Sequence, residues 1–207
     1  MVDMMIKEFG GKVATIWEGL RPHTQKMLVG VMQGKAPSGS QAPRLFYDAT
    51  ADWEVSRLLS ALDERSRATE VRKDKARLDE ITQLANTCVR VLESQSASAE
   101  VFILLASRAV QSNDYNRLDR LADTLAERYS SGEIAEIVRQ TDIPQIRAIA
   151  YETLAMLPIP NLLPLLDDPL YSGIAAAALD QKAYEFDSDE ARDILDQFDA
   201  ENQPRGD

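Results

Sequence analysis

His23 is the only histidine and Cys88 the only cysteine in the 207 residues, and that pair bounds the chemistry this chain can do. A metal centre built from several imidazoles, or a relay through two histidines, is excluded by count. His23 lies beside the Arg21-Pro22 turn and reads as a surface residue. Cys88 falls on the apolar stripe of a helix, where a thiol serves as a small buried hydrophobe. With one cysteine no intramolecular disulfide forms, and an oxidising compartment is not implied. Gly11-Lys12 and Gly34-Lys35 lack both the upstream glycine and the following Ser or Thr of a phosphate loop, and no Gly-x-Gly-x-x-Gly occurs. Asp187-Ser188-Asp189 with Asp193 places acids at calcium-loop spacing without the required glycine and terminal Glu. Acids in the first turn of a helix account for them, because the helix N-terminus carries partial positive charge. Asp167-Asp168 reads as a cap. No nucleophile–base pairing emerges, so the expectation is a protein that is not an enzyme and needs no cofactor or metal.

Positioning elements are easier to read. Asp142, Pro144, Ile149, Ala150 and Leu154 recur 25 positions later as Asp167, Pro169, Ile174, Ala175 and Leu179. Asp accepts a hydrogen bond from the open amides of a first helical turn. Pro two positions on needs no donor there, and its fixed φ is already helical. Ile, Ala and Leu then mark a buried face on which the small Ala admits a close neighbour. Leu157-Pro158-Ile159-Pro160 ends the first of these helices, since a residue before proline is pushed out of the α region. A short helix from Asn161 to Leu166 returns against it, with Leu162, Leu163, Leu165 and Leu166 inward. Helix pairs that cannot bury their apolar faces alone must stack on one another.

From Asp142 through Ile146-Arg147, Ala150 and Leu154 to Leu162-Leu163-Pro164-Leu165-Leu166-Asp167-Asp168-Pro169, the sequence resembles a HEAT-type repeat. The resemblance covers residues 113–183, at a spacing shorter than the usual period of roughly 40 residues, and Ser172-Gly173 stand where the family favours a branched residue and Arg. It implies a right-handed stack of helical hairpins used as a protein-binding surface, and it carries over no catalytic residue.

Apolar residues make up 44% and charged residues 28% of the chain, a globular balance, while aromatics are only 6%. Abundant Ala, Leu, Glu, Asp and Arg favour an all-α protein. The net charge of −11 is uneven. Residues 1–44 hold six basic against three acidic side chains, residues 45–141 thirteen against seventeen, and residues 142–207 four against fourteen. Such an acidic end repels nucleic-acid phosphates and suits a basic protein partner; it also serves as a solvated surface. Asp3, Lys7 and Glu8 interrupt any leader-like apolar run, and no run approaches the roughly 20 residues of a membrane span. The expectation is a cytoplasmic protein.

Residues 1–33 read as an amphipathic helical unit with Ile6, Phe9, Val13, Ile16, Trp17 and Leu20 on one stripe, broken at Gly10-Gly11. Residues 34–44, rich in Gly, Pro and Ser, read as a linker. Residues 45–200 form the helical-repeat domain and 201–207 a tail. Within the body, Thr50 or Asp52 is expected to cap the first helix, residues 63–77 to form one solvated helix laced with ion pairs, and Asp187 to cap the last. That last helix would turn Ala191, Ile194, Leu195 and Phe198 inward to close the stack.

These readings converge on an all-α, HEAT-like stack that binds another protein through an acidic face, with Arg147, Tyr151 and Tyr171 as exposed contacts. The N-terminal unit supplies a second contact through Phe9, Trp17 and Leu20, either to a partner or to a membrane surface. Oligomeric state is not legible in the sequence.

Overall fold

A computed structural model describes residues 6, 8–34 and 47–202. The expected linker beyond Gly34, the start of the body at Leu45-Phe46 and the tail from residue 203 lie outside the described residues. The described residues are all α: they form twelve helices and no strand. The chain divides into two compact units, Met1–Val101 and Phe102–Asp207, a boundary that falls within one helix.

The first unit holds α1 (Gly11–Gly19), α2 (Pro22–Met32), α3 (Ala49–Ser66), α4 (Thr69–Lys73) and α5 (Lys75–Gln95). α3 and α5 pack along one another; α1 lies on α3, and α2 on both α3 and α5. Val55, Leu58, Leu59 and Leu62 of α3 are fully buried, as are Ile81, Leu84, Cys88 and Val89 of α5. Their spacing of three and four is what turns each set to one side of its helix. The N-terminal stripe closes this core, with Ile6, Phe9, Val13, Ile16, Trp17 and Leu20 all buried. Gly10 supplies the break before α1: its φ of +120° is open to glycine alone at little cost. The charged block is not one helix. α3 ends at Ser66, α4 forms a single short segment around buried Val71, and Asp74 starts α5 by accepting a hydrogen bond from the Arg77 amide at 3.1 Å.

The second unit continues from α6 (Ala99–Ser112) through α7 (Tyr115–Arg128), α8 (Ser131–Gln140), α9 (Pro144–Met156), α10 (Ile159–Leu166), α11 (Ser172–Glu185) and α12 (Asp189–Asn202). α9 packs on α7, α8 and α11; α10 packs on α8 and α11; α12 packs on α11. The repeated Ala150, Leu154, Ala175 and Leu179 are buried, as their spacing predicts. Ile149 and Ile174 are half-buried, and Leu163 faces outward. Phe102 meets the edge of Tyr129 at a centroid distance of 5.8 Å.

Helix starts depart from expectation where several polar groups compete. Asp48, not Thr50 or Asp52, caps α3 by accepting from the Ala51 amide at 2.9 Å. Asp142 is exposed and caps nothing; Thr141 Oγ1 accepts from the Ile143 amide at 3.2 Å, and α9 opens with Pro144 in its first turn. In the second copy, Asp168 accepts from the Leu170 amide within a turn, and α11 begins at Ser172, so Pro169 precedes the helix. Asp187 has a positive φ of 51°, and Ser188 caps α12 by accepting from the Ala191 amide at 3.3 Å. α12 is less covered than its pattern predicts: Ala191 is buried, but Ile194, Leu195 and Phe198 are half-buried.

Candidate functional site

In the first unit, the buried charge among the described residues is Glu54, which is 4% exposed. It accepts from the Arg21 amide at 2.8 Å, from Arg21 Nε at 3.1 Å and from the Thr24 hydroxyl. Burial would raise its carboxyl; the Thr24 and Arg21 donors outweigh burial and hold it below its ordinary value. The Arg21 guanidinium also grips both oxygens of Asp48, at 2.6 and 2.9 Å, and pulls that carboxyl down as well. The cluster thus locks the start of α2 to the start of α3. Nearby, burial raises the Asp52 carboxyl against hydrogen bonds from Tyr47 and Ser96.

Phe9, Trp17 and Leu20 are part of this unit's interior. An outward contact through them would require α1 to leave α3. The exposed aromatic is Trp53 on α3, 59% accessible, with the Arg57 guanidinium 5.0 Å from its ring centre. Two shallow hollows flank α1: one of about 240 Å³ beside Gly10, Lys12 and Arg65, and one of about 340 Å³ beside Ile16, Arg57 and Ser60. Lys12 pairs with Glu64 and Arg65 with Glu70 there, while Arg57 beside the second hollow lies over the Trp53 ring.

In the second unit, Arg147 and Tyr151 stand one turn apart on α9. Arg147 donates to the Thr141 carbonyl at the end of α8 and lies 3.8 Å from Asp142. Tyr151 is half-buried. Tyr171 is tied elsewhere: its hydroxyl donates to Glu136 at 2.9 Å, joining the turn before α11 to α8. Glu136 also accepts from Arg139 at 2.7 Å and Gln140 at 2.5 Å. Arg139 foremost, with Gln140 and Tyr171, holds the Glu136 carboxyl down at about 2 against the effect of burial, and the hydrogen bond to Glu136, with burial, in turn raises the Tyr171 hydroxyl. Of the three residues expected as contacts, Arg147 and Tyr171 are thus bound into inter-helix joints.

One open concavity of this unit was not legible in the sequence. α11 and α12 flank an open cleft of about 750 Å³. α11 contributes Ala176, Ala177, Asp180, Ala183 and Tyr184; α12 contributes Arg192, Leu195, Asp196 and Asp199. Arg192 is consumed by Asp187, Asp189 and the Ala183 carbonyl. Asp180, Asp196 and Asp199 have no ion-pair partner among the described residues. Lys182 turns away, donating to the Ala155 and Leu157 carbonyls at 2.9 and 3.0 Å, where a cation suits the C-terminus of α9. Tyr184 is 88% exposed.

Among the described residues no cluster of three metal-ligating side chains forms, and no single helix is long and apolar enough to cross a membrane. No protein-family model, curated protein or solved structure matches the chain.

Proposed function

We propose that the protein is a non-catalytic interaction module whose second unit, a short HEAT-like stack, binds a basic protein partner through its acidic surface. The observation that carries this reading is the distribution of charge between the units. Residues 1–101 hold fourteen basic and fourteen acidic side chains, whereas residues 102–207 hold nine against twenty, so the whole balance of −11 falls on the second half. Like charge gathered on one compact body destabilises it by self-repulsion, and a complementary partner removes that cost. The packing supports a stack: α7, α8, α9, α10 and α11 include contacts to the next helix but one, the arrangement by which repeats bury faces a single hairpin leaves open.

Removing residues 1–44 does not test this, because Phe9 and Trp17 would leave the first unit's core. The informative experiment captures partners from native extract with the full chain and with charge-reversed variants. One variant reverses exposed Asp119, Asp123 and Glu127 on α7, another Asp180, Asp196 and Asp199, and a control reverses Lys12 and Arg57. A partner lost with either acidic set and kept by the control is the expected result. Retention by both acidic variants would overturn the reading. Membrane attachment through Phe9, Trp17 and Leu20 requires the first unit to open, so the protein reading is preferred.

A further inference from the structure

We infer that the cleft between α11 and α12 is the seat of a cationic amphipathic helix from a partner protein. The inference rests on the reading of the acidic half as the interaction surface and narrows it to one groove. Ala176, Asp180 and Ala183 of α11 lie at helical spacing over eight residues, and Arg192, Leu195 and Asp199 of α12 do the same. Each stripe therefore runs for about two turns, roughly 10 Å. Two such stripes side by side form the groove into which a third helix packs.

The lining chemistry selects the occupant. Alanines on the floor let another backbone come within the 8–10 Å at which helices pack. Leu195 is half-buried with its α12 neighbours Ile194 and Phe198, so apolar area remains to be covered. Tyr184, almost wholly exposed, supplies a rigid aromatic edge of the kind that anchors interfaces. Asp180, Asp196 and Asp199 project charge that nothing described in this chain neutralises, since Arg192 is engaged by Asp187, Asp189 and the Ala183 carbonyl. A segment with leucines on one face and Lys or Arg on its flanks satisfies both requirements. A nucleic acid fails the second, because its phosphates share the sign of the rim.

The test uses the full chain and two fluorescein-labelled synthetic peptides of about three helical turns, followed by anisotropy at physiological salt. One peptide spaces Leu and Lys to form an amphipathic helix; the other has the same composition in scrambled order. The expected result is binding of the helical peptide at least tenfold tighter than the scrambled one. Ala177→Arg, at an exposed cleft position, and the pair Asp180→Asn with Asp196→Asn are each expected to weaken it tenfold or more. Asp79→Asn with Glu80→Gln, exposed on α5 of the first unit, should leave it unchanged. Equal binding of both peptides, or undiminished binding by Ala177→Arg, would overturn the groove while leaving the broader acidic-surface reading intact. No response to either peptide would also overturn the groove, and capture with the α7 and α12 reversals would then judge the broader reading separately.

Discussion

Gly10 and Gly11 look alike in the sequence, as adjacent helix breakers, and the structure gives them opposite roles. Gly10 holds a φ of +120°, and a Cβ there would stand 3.2 Å from Arg65 Nε. Gly10→Ala is expected to cost about 1–3 kcal/mol. Gly11 begins α1 with open space around it, so Gly11→Ala should stabilise by about 0.4–1 kcal/mol. Urea titration followed by tryptophan fluorescence measures both, and two shifts of the same sign would contradict the assignment. At Glu54 the sequence carries no warning, because an acid on the second turn of α3 looks solvent-exposed until Arg21 and Thr24 are brought to it. Glu54→Ala leaves those donors without their buried acceptor and should cost about 3 kcal/mol at neutral pH. The Glu54 carboxyl is held below its unfolded value, so its contribution is present above the unfolded range and lost as pH falls through the lower folded one. Asp52 opposes this, since its raised carboxyl becomes cheaper to bury once protonated. The gap between parent and Glu54→Ala should therefore narrow on acidification below about 4.3; a gap that widens instead would reject Glu54 as its source. The misread caps share one cause. Asp48, Thr141 and Ser188 win because of groups one or two residues away or on another helix, and local propensity does not rank such competitors.

At the scale of the elements, periodicity was a dependable guide and connection chemistry was not. The stripes of α3, α5, α9 and α11 turn inward as their spacing predicts, because burial is decided by which residues share a face. The block from Asp63 to Arg77 is a counterexample: its charges pair acceptably in one long helix or in the observed broken one, and buried Val71 decides. The joint between α8 and the turn before α11 was equally hidden, since Glu136 and Tyr171 are 35 residues apart. It makes a prediction of its own. Glu136 is ionised in the fold down to about 2, so its stabilising effect is complete above the unfolded value and disappears as pH drops toward 2. Glu136→Gln should lower the stability of the second unit at pH 7 and match the parent near pH 2, measured by far-UV circular dichroism. A constant difference at all pH values would mean that the carboxylate's charge is not what holds Tyr171. The α11–α12 cleft stayed out of view because a concavity belongs to two helices at once.

For the whole molecule, the division of charge has physical consequences beyond binding. Trp17 and Trp53 are the only tryptophans, and both lie in the first, electrically balanced unit. Fluorescence therefore reports that unit, while circular dichroism reports both. Salt screens self-repulsion, with a reach of about 10 Å at 0.1 M. Raising ionic strength is expected to move the circular-dichroism transition upward more than the fluorescence transition. Equal shifts would show that the acidic balance of residues 102–207 does not strain that unit. The sequence forecast an acidic end but set the line at residue 142; the structure puts α6, α7 and α8 in the same compact body, so the imbalance is shared over a larger surface.

Cys88 adds a dimension of time to this picture. Its thiol is fully buried on α5, in the first unit. An alkylating reagent in solution meets that sulfur only during the intervals when the helices part, so the chain carries one covalent stopwatch for its own breathing. Mass spectrometry of a single-site adduct reads the elapsed openings directly. Gly10→Ala should make that stopwatch run faster.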